Sequence, residues 1–269
     1  MVNLSLHYFI AAFLTALLFF TSSWSAEERS NLVNLGDWTQ VKIEVLLQQS
    51  TGDSTPGQKV DLISSAFLGT PYLAGTLIGR VDLSEKLVIR FDGVDCFTLL
   101  DYVEALRRSD SLTTFKGQLS SVRYQNGHIG YLTRNHFFTD WAQNNSDYIQ
   151  DVTQQVGGML TESVDKTLNL KKDGDNFLDG VPTIERRINY IPADRVNGDI
   201  LSRLQGGDYL GIYSPAAGLD VSHTGIVVKQ YGTTYLRHAS SLETIHKVVD
   251  MELLPYLKGS TGIIVLRPQ

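Results

Sequence analysis

One stretch constrains this chain more than any other. Phe91-Asp92-Gly93-Val94-Asp95-Cys96-Phe97-Thr98-Leu99-Leu100 carries the only cysteine of the 269 residues. Residues 87–91 alternate with β-branched side chains and predict a short strand, and Gly93 marks a turn. Leu99, Leu100, Val103 and Leu106 then recur at helical spacing to about residue 108, with Asp95 where an N-cap belongs. This strand–turn–helix unit puts Cys96 in the first helical turn. The free N–H groups there and the positive end of the helix dipole favour a thiolate.

Upstream, 32–47 predicts a helix, 48–57 a loop, and 60–67 a second helix that stops at Gly69-Thr70-Pro71-Tyr72. Residues 109–200 are the least regular. They predict a helix near 149–160, a turn-rich run at 171–179, and breaks at Pro182 and Pro192. The end of the chain is different. Residues 208–213, 224–229, 234–238 and 263–266 are short runs rich in Val, Ile, Tyr and Leu, separated by Gly and polar residues. Helices first and antiparallel strands last indicate an α+β fold. No repeat or low-complexity tract is present. We read one domain over 26–269, with 109–200 as an insertion that shapes a binding site.

Hydrophobic residues at 42% and charged residues at 19% describe a globular chain. A net charge of −6 without a basic block argues against nucleic acid. A lone cysteine excludes an internal disulfide framework and any CxxC metal or redox motif. At the N-terminus, the apolar run YFIAAFLTALLFF at 8–20 is too short for a comfortable membrane span. Ser23-Trp24-Ser25 then offers small residues at the positions a signal peptidase reads. The expectation is a signal peptide over 1–25, a mature chain starting near Ala26, and a periplasmic or secreted protein without stable membrane insertion. An uncleaved anchor is the alternative. No cysteine stands at the junction, which excludes a lipoprotein. A free cysteine in an exported protein risks oxidation, and catalysis supplies a reason to keep one.

Two histidines complete the pattern, in Ser222-His223-Thr224-Gly225 and Arg237-His238-Ala239-Ser240. A turn centred near Gln230–Tyr231 sets His223 opposite His238, with Cβ atoms about 5 Å apart. Singly, a buried cysteine is ordinarily an inert small hydrophobe and a strand histidine is ordinarily structural. Together, a capped helix-start cysteine and two histidines across one hairpin spell nucleophile, base and orienter: Cys96, His223 and His238. Asp173-Gly174-Asp175-Asn176-Phe177-Leu178-Asp179 lacks the ligand spacing of an EF-hand and reads as a solvated loop. His128 and His136 have no partner cluster for zinc. No metal or cofactor is expected.

The series Gly69-Thr70-Pro71-Tyr72, Asp95-Cys96, Ser222-His223-Thr224-Gly225-Ile226 and His238-Ala239 resembles the NlpC-type superfamily of bacterial cell-wall cysteine peptidases. Further residues resemble its N-acetylmuramoyl-L-alanine amidase-like branch. These are Arg134-Asn135-His136-Phe137, Asp140-Trp141, Asn144-Asn145, Tyr190-Ile191-Pro192, Gly207-Asp208, Gly218-Leu219-Asp220-Val221-Ser222-His223 and His238-Ala239-Ser240-Ser241. The resemblance covers roughly residues 60 to 268. Phe97-Thr98 departs from the wider superfamily, which has Ser-Gly after the cysteine.

The resemblance implies a papain-like core whose nucleophile helix packs on a C-terminal antiparallel sheet or small barrel. It implies peptidoglycan stem peptides or muropeptides as substrate. Tyr72 would stand beside Cys96 and polarise the scissile carbonyl, and the Cys96 N–H would serve the oxyanion. Stem peptides carry carboxylates, which suit planar arginine forks. Arg123, Arg134, His136, Asp140, Trp141 and Asn144, with Tyr124 beside them, are therefore candidate substrate-binding residues. A buried Arg–Asp network is the other reading of that set. The expected activity is cleavage of a peptidoglycan amide through a Cys–His–His triad and a thioester. The rivals are a γ-D-glutamyl-diamino acid endopeptidase, an acyltransferase, and a non-catalytic cell-wall binder on the same fold.

Overall fold

The computed structural model describes residues 32–50, 52 and 54–269. The expected signal peptide lies outside the described residues. The helices are α1 (Gln40–Ser50), α2 (Pro56–Ser65), α3 (Cys96–Arg107), α4 (Leu112–Arg123), α5 (Phe138–Asn144), α6 (Thr153–Gly157), α7 (Gly198–Arg203) and α8 (Leu253–Tyr256). The strands are β1 (Val33–Asn34), β2 (Ile78–Arg80), β3 (Leu83–Lys86), β4 (Ile89–Arg90), β5 (Ile149–Asp151), β6 (Glu162–Leu168), β7 (Ile184–Pro192), β8 (Tyr209–Tyr213), β9 (Val221–Gln230), β10 (Thr233–Ala239), β11 (Val248–Glu252) and β12 (Gly262–Pro268). Among the described residues, no helix is long and apolar enough to cross a membrane.

Eight of these strands form one antiparallel sheet in the order β11-β10-β9-β8-β12-β7-β6, with β5 also pairing β12. Strands β11 and β6 are its edges, so the sheet is open and no small barrel closes. The 109–200 segment, expected to shape a binding site, is built into the same sheet. It supplies β5, β6 and β7 to the main sheet. The helix expected near 149–160 is β5, the five-residue α6 and a 3₁₀ turn, because β5 is drawn into pairing with the end of β12.

Alternation along the central strands explains why both faces are apolar. Tyr209, Ile226, Ile264 and Leu266 join Leu99, Leu100, Val103 and Leu106 of α3 in one core. Leu210, Val227, Ile263 and Val265 face a second core with Val156, Ile200 and Leu253 from the short helices. The sheet is thus the middle of three layers, which is why its strands read as nearly continuous hydrophobic runs rather than clean alternation.

Two polar clusters tie the helical layer to the sheet. The Tyr209 hydroxyl donates to Glu104 on α3 at 2.7 Å, and Glu104 also holds Arg107. Arg237 on β10 is 1% exposed and bridges Asp250 on β11 to Asp61 and Ser64 on α2. That clamp sets the strand carrying His238.

Candidate active site

The helix that begins at Cys96 is capped on both sides of its first turn. Asp95 Oδ1 accepts from the N–H groups of Phe97 (3.0 Å) and Thr98 (2.7 Å), and the Asp95 N–H donates to Thr98 Oγ1 at 2.9 Å. This capping box gives Thr98 a structural role at the start of the helix. Residues 71–73 run alongside 94. Val94 N–H donates to Pro71 O, Leu73 N–H to Val94 O, and Tyr72 N–H to His246 O. Gly93 permits that approach, since a Cβ there would stand 2.7 Å from Leu73 Cβ. Tyr72 is thereby set beside the start of α3. Burial raises its phenol above the ordinary range, with the Cys96 and Asp95 charges adding to it.

The β9–β10 hairpin turns at Tyr231–Gly232, both at positive φ (49° and 79°), as a type I′ turn requires. Gln230 therefore pairs with Thr233 and Ile226 with Arg237. The turn sits one residue later than the sequence suggested, so His223 and His238 are diagonal rather than directly opposed. The resulting register offset is two residues, which preserves the face. The rings still meet, with His223 Nε2 2.8 Å from His238 Nδ1. Between β8 and β9 the register shifts from Ile212↔His223 to Tyr213↔Val221, leaving Ser222 as a bulge next to His223.

Cys96 and His223 line one cleft of about 370 Å³. Its walls are Phe97, Phe137, Phe138, Phe177, Leu178 and Leu219, with His136, Asp220, Ser222 and Thr224 as polar members and no Lys or Arg. The turn-rich run at 171–179 carries Phe177 to this wall. Asn169 holds that loop by donating to Leu178 O and Val181 O and accepting from Leu178 N–H. Lys166 ties down the opposing loop through the carbonyls of Ser214, Ala216 and Leu219.

Burial controls the protonation of the pair. It pushes the Cys96 thiol up, and the Asp95 charge adds to this. The backbone N–H and hydroxyl of Thr224 work in the other direction. Burial also pushes His223 and His238 down to about 4. Both members are thus driven toward the neutral thiol–imidazole form, against the thiolate that the helix dipole alone favours.

The other sequence-identified residues separate. His136 lines the cleft and bonds through Nε2 to Tyr131 O at 2.8 Å; burial holds it down to about 4. Arg123 is 1% exposed and lies in an ion pair with Asp101 at 2.7 Å, also donating to Val88 O. Trp141 is fully buried and donates to the other Asp101 oxygen at 3.1 Å, so its ring is core and not a sugar platform. Arg134 pairs with Glu85 and donates to Gly79 O. Asp140 pairs with Arg186, and Asn144 donates to Asn135. None of these five lines the cleft, and they make up the buried network that was the second reading of the set.

Sequence reasoning missed Tyr256. Its ring meets His238 edge-on at 5.0 Å and lies 6.3 Å from that of His223, and burial with the Cys96 charge raises its phenol to about 12. Nothing in Leu-Leu-Pro-Tyr signals this. Asp220 is 2% exposed and accepts from the Thr139 N–H and hydroxyl and from Val221 N–H; it stood next to the histidine motif but carried no spacing signal. Among the described residues, no three His, Cys, Asp or Glu side chains cluster as a metal site would require.

Comparison with known proteins finds relatives of this fold. A crystal structure of an N-acetylmuramoyl-L-alanine amidase from Bacteroides uniformis is 31% identical, covers 80% of this chain and 100% of its own, and superposes with a TM-score of 0.67. A putative xylanase from Bacteroides fragilis is 32% identical over 76% of this chain and 98% of its own, with a TM-score of 0.63. A protein of Legionella pneumophila shares the fold at 23% identity, 90% and 95% coverage and a TM-score of 0.71. No curated protein matches. The family model described as AmiA-like, N-acetylmuramoyl-L-alanine amidase-like, matches residues 62–263, and the chain belongs to that family.

Proposed function

We propose that this protein is an exported cysteine amidase of the NlpC type, with a papain-like core, that cuts the amide between the lactyl group of N-acetylmuramic acid and L-alanine in peptidoglycan. The observation that carries the reading is the His223–His238 contact at 2.8 Å, with His223 sharing a cleft with a helix-start cysteine. The His223 Nε2 is occupied by His238, which leaves Nδ1 for the thiol. Family membership supports the substrate class. The lining supports the bond: a wall of Phe and Leu side chains with no cation suits an uncharged acyl group better than a carboxylate-bearing diamino acid.

In this mechanism His223 Nδ1 takes the proton of Cys96 as Sγ attacks the lactyl carbonyl carbon. The C=O electron pair moves onto oxygen, and the Cys96 N–H and Tyr72 hydroxyl serve the developing oxyanion. The C–N bond then breaks, and His223 returns the proton to the departing alanine amine. Water, deprotonated by His223, attacks the lactyl thioester; the C–S bond breaks and the thiol is restored. His238 Nδ1 accepts the His223 Nε2–H throughout. Purified protein incubated with sacculi tests the proposal. Soluble stem peptides should appear with wild type and not with Cys96→Ala. N-terminal sequencing of the exported form should find a start near Ala26, and intact Met1 in the membrane fraction would contradict export by cleavage.

A further inference from the structure

The proposed base requires one tautomer of its partner. For His223 Nδ1 to accept a proton, His223 must carry its own on Nε2 and donate it to His238 Nδ1. His238 must then carry its proton on Nε2. That nitrogen is buried and has no protein partner, and His238 is 2% exposed. A buried N–H without an acceptor is costly enough to favour the wrong tautomer.

A second orphan lies two residues along the chain. Ser240 is 1% exposed and its Oγ also has no partner. The β10–β11 ladder continues through Ser240 N–H to Lys247 O at 3.0 Å, so positions 238 and 240 remain extended and point to one side. Side chains two apart on a strand stand about 6.5–7 Å from each other. The two orphaned atoms do not bond each other, and one water between them would satisfy both with hydrogen bonds of roughly 2.8 Å. Around them the packing is apolar, with Leu236 and Leu253 in the second core and the Tyr256 ring edge-on to His238.

We infer that Ser240 is a positioning residue which, through one bound water, accepts the Nε2–H of His238 and so locks the tautomer that makes His223 a base. The relay runs Ser240 to water to His238 to His223 to Cys96. It extends the triad by a member outside the cleft. Its kinetic consequence rests on the amidase reading, while its tautomer does not.

The test is the imidazole ¹⁵N spectrum of histidine-labelled protein, with steady-state kinetics beside it. Wild type should show His238 protonated on Nε2. Ser240→Ala should shift that signal toward a mixture and lower kcat about tenfold with KM unchanged. Ser240→Thr, which keeps the hydroxyl, should restore both. A wild-type spectrum with the proton on Nδ1 overturns the inference, even if Ser240→Ala does not fold. Wild-type tautomer and kcat in Ser240→Ala, or a Thr variant as impaired as Ala, overturns it too. If the protein hydrolyses no peptidoglycan, the amidase reading fails and the spectrum still decides this one.

Discussion

The Nε2 of His223 lies 2.8 Å from Nδ1 of His238, with the two rings at 84°. In the proposed mechanism this contact orients His223 through one nitrogen and leaves the other for chemistry. The contact ranks the three residues. Cys96→Ala and His223→Ala each remove a reacting group and should lower kcat by about 10³-fold or more, with melting temperatures near wild type. His238→Ala leaves the base present but unoriented and should cost about 10²-fold. Equal losses for all three, or retained activity in Cys96→Ala, would contradict the assignment.

Burial of both Cys96 and His223 predicts how the free thiol reacts. Burial raises the thiol and lowers the imidazole, which favours the neutral pair over the ion pair. Iodoacetamide labelling of Cys96 should therefore climb with pH through and above the ordinary thiol range. A rate that is already flat between pH 5 and pH 8 would reveal a standing ion pair instead.

Histidine burial also sets an acid limit on stability. His136, His223 and His238 are all pushed down to about 4, against an ordinary 6.5. Between these values the unfolded chain binds protons that the native state refuses. Their contribution is thus fully present above pH 6.5 and is lost as pH falls toward 4. Burial raises Asp101, Asp140 and Asp220, which act with the opposite sign. The clean readout is therefore a difference. The melting temperature of His136→Gln should fall less steeply between pH 7 and pH 4.5 than that of wild type.

Arg123 offers a test of structure against recognition. Its partner Asp101 is 2% exposed and also accepts from Trp141. Arg123→Ala strands that carboxylate and should cost about 3–5 kcal/mol in urea denaturation. A variant of wild-type stability with raised KM would instead make Arg123 a substrate contact.

Phe177 is the aromatic wall residue left 40% exposed at the cleft. Phe177→Ala should raise KM about 2- to 12-fold with little change in kcat, the size of one aromatic contact. Unchanged KM would remove the 169–181 loop from substrate binding.

Local physics explains what could be read in advance. The Asp95 cap and the leucine spacing of α3 depend on residues within one or two turns, so Cys96 could be placed at a helix start. The histidine contact survived a misplaced turn because moving a hairpin centre by one residue changes the register by two, and two is the period of a strand. Tertiary partners were not legible. Nothing near Arg123 or Trp141 in sequence announces Asp101 as their shared acceptor, and nothing near Tyr256 places it against His238. The 109–200 segment looked irregular because β5 and β7 join the sheet through β12, at the far end of the chain.

The most direct test of the account is mass spectrometry of the fragments released from purified muropeptides by wild type and by Cys96→Ala. The account predicts that wild type releases stem peptides with a free L-alanine amine, together with intact N-acetylmuramic acid ends, and that Cys96→Ala releases neither. Fragments cut at the γ-D-glutamyl bond would contradict the bond assigned here, and undiminished release by Cys96→Ala would contradict the cysteine mechanism itself.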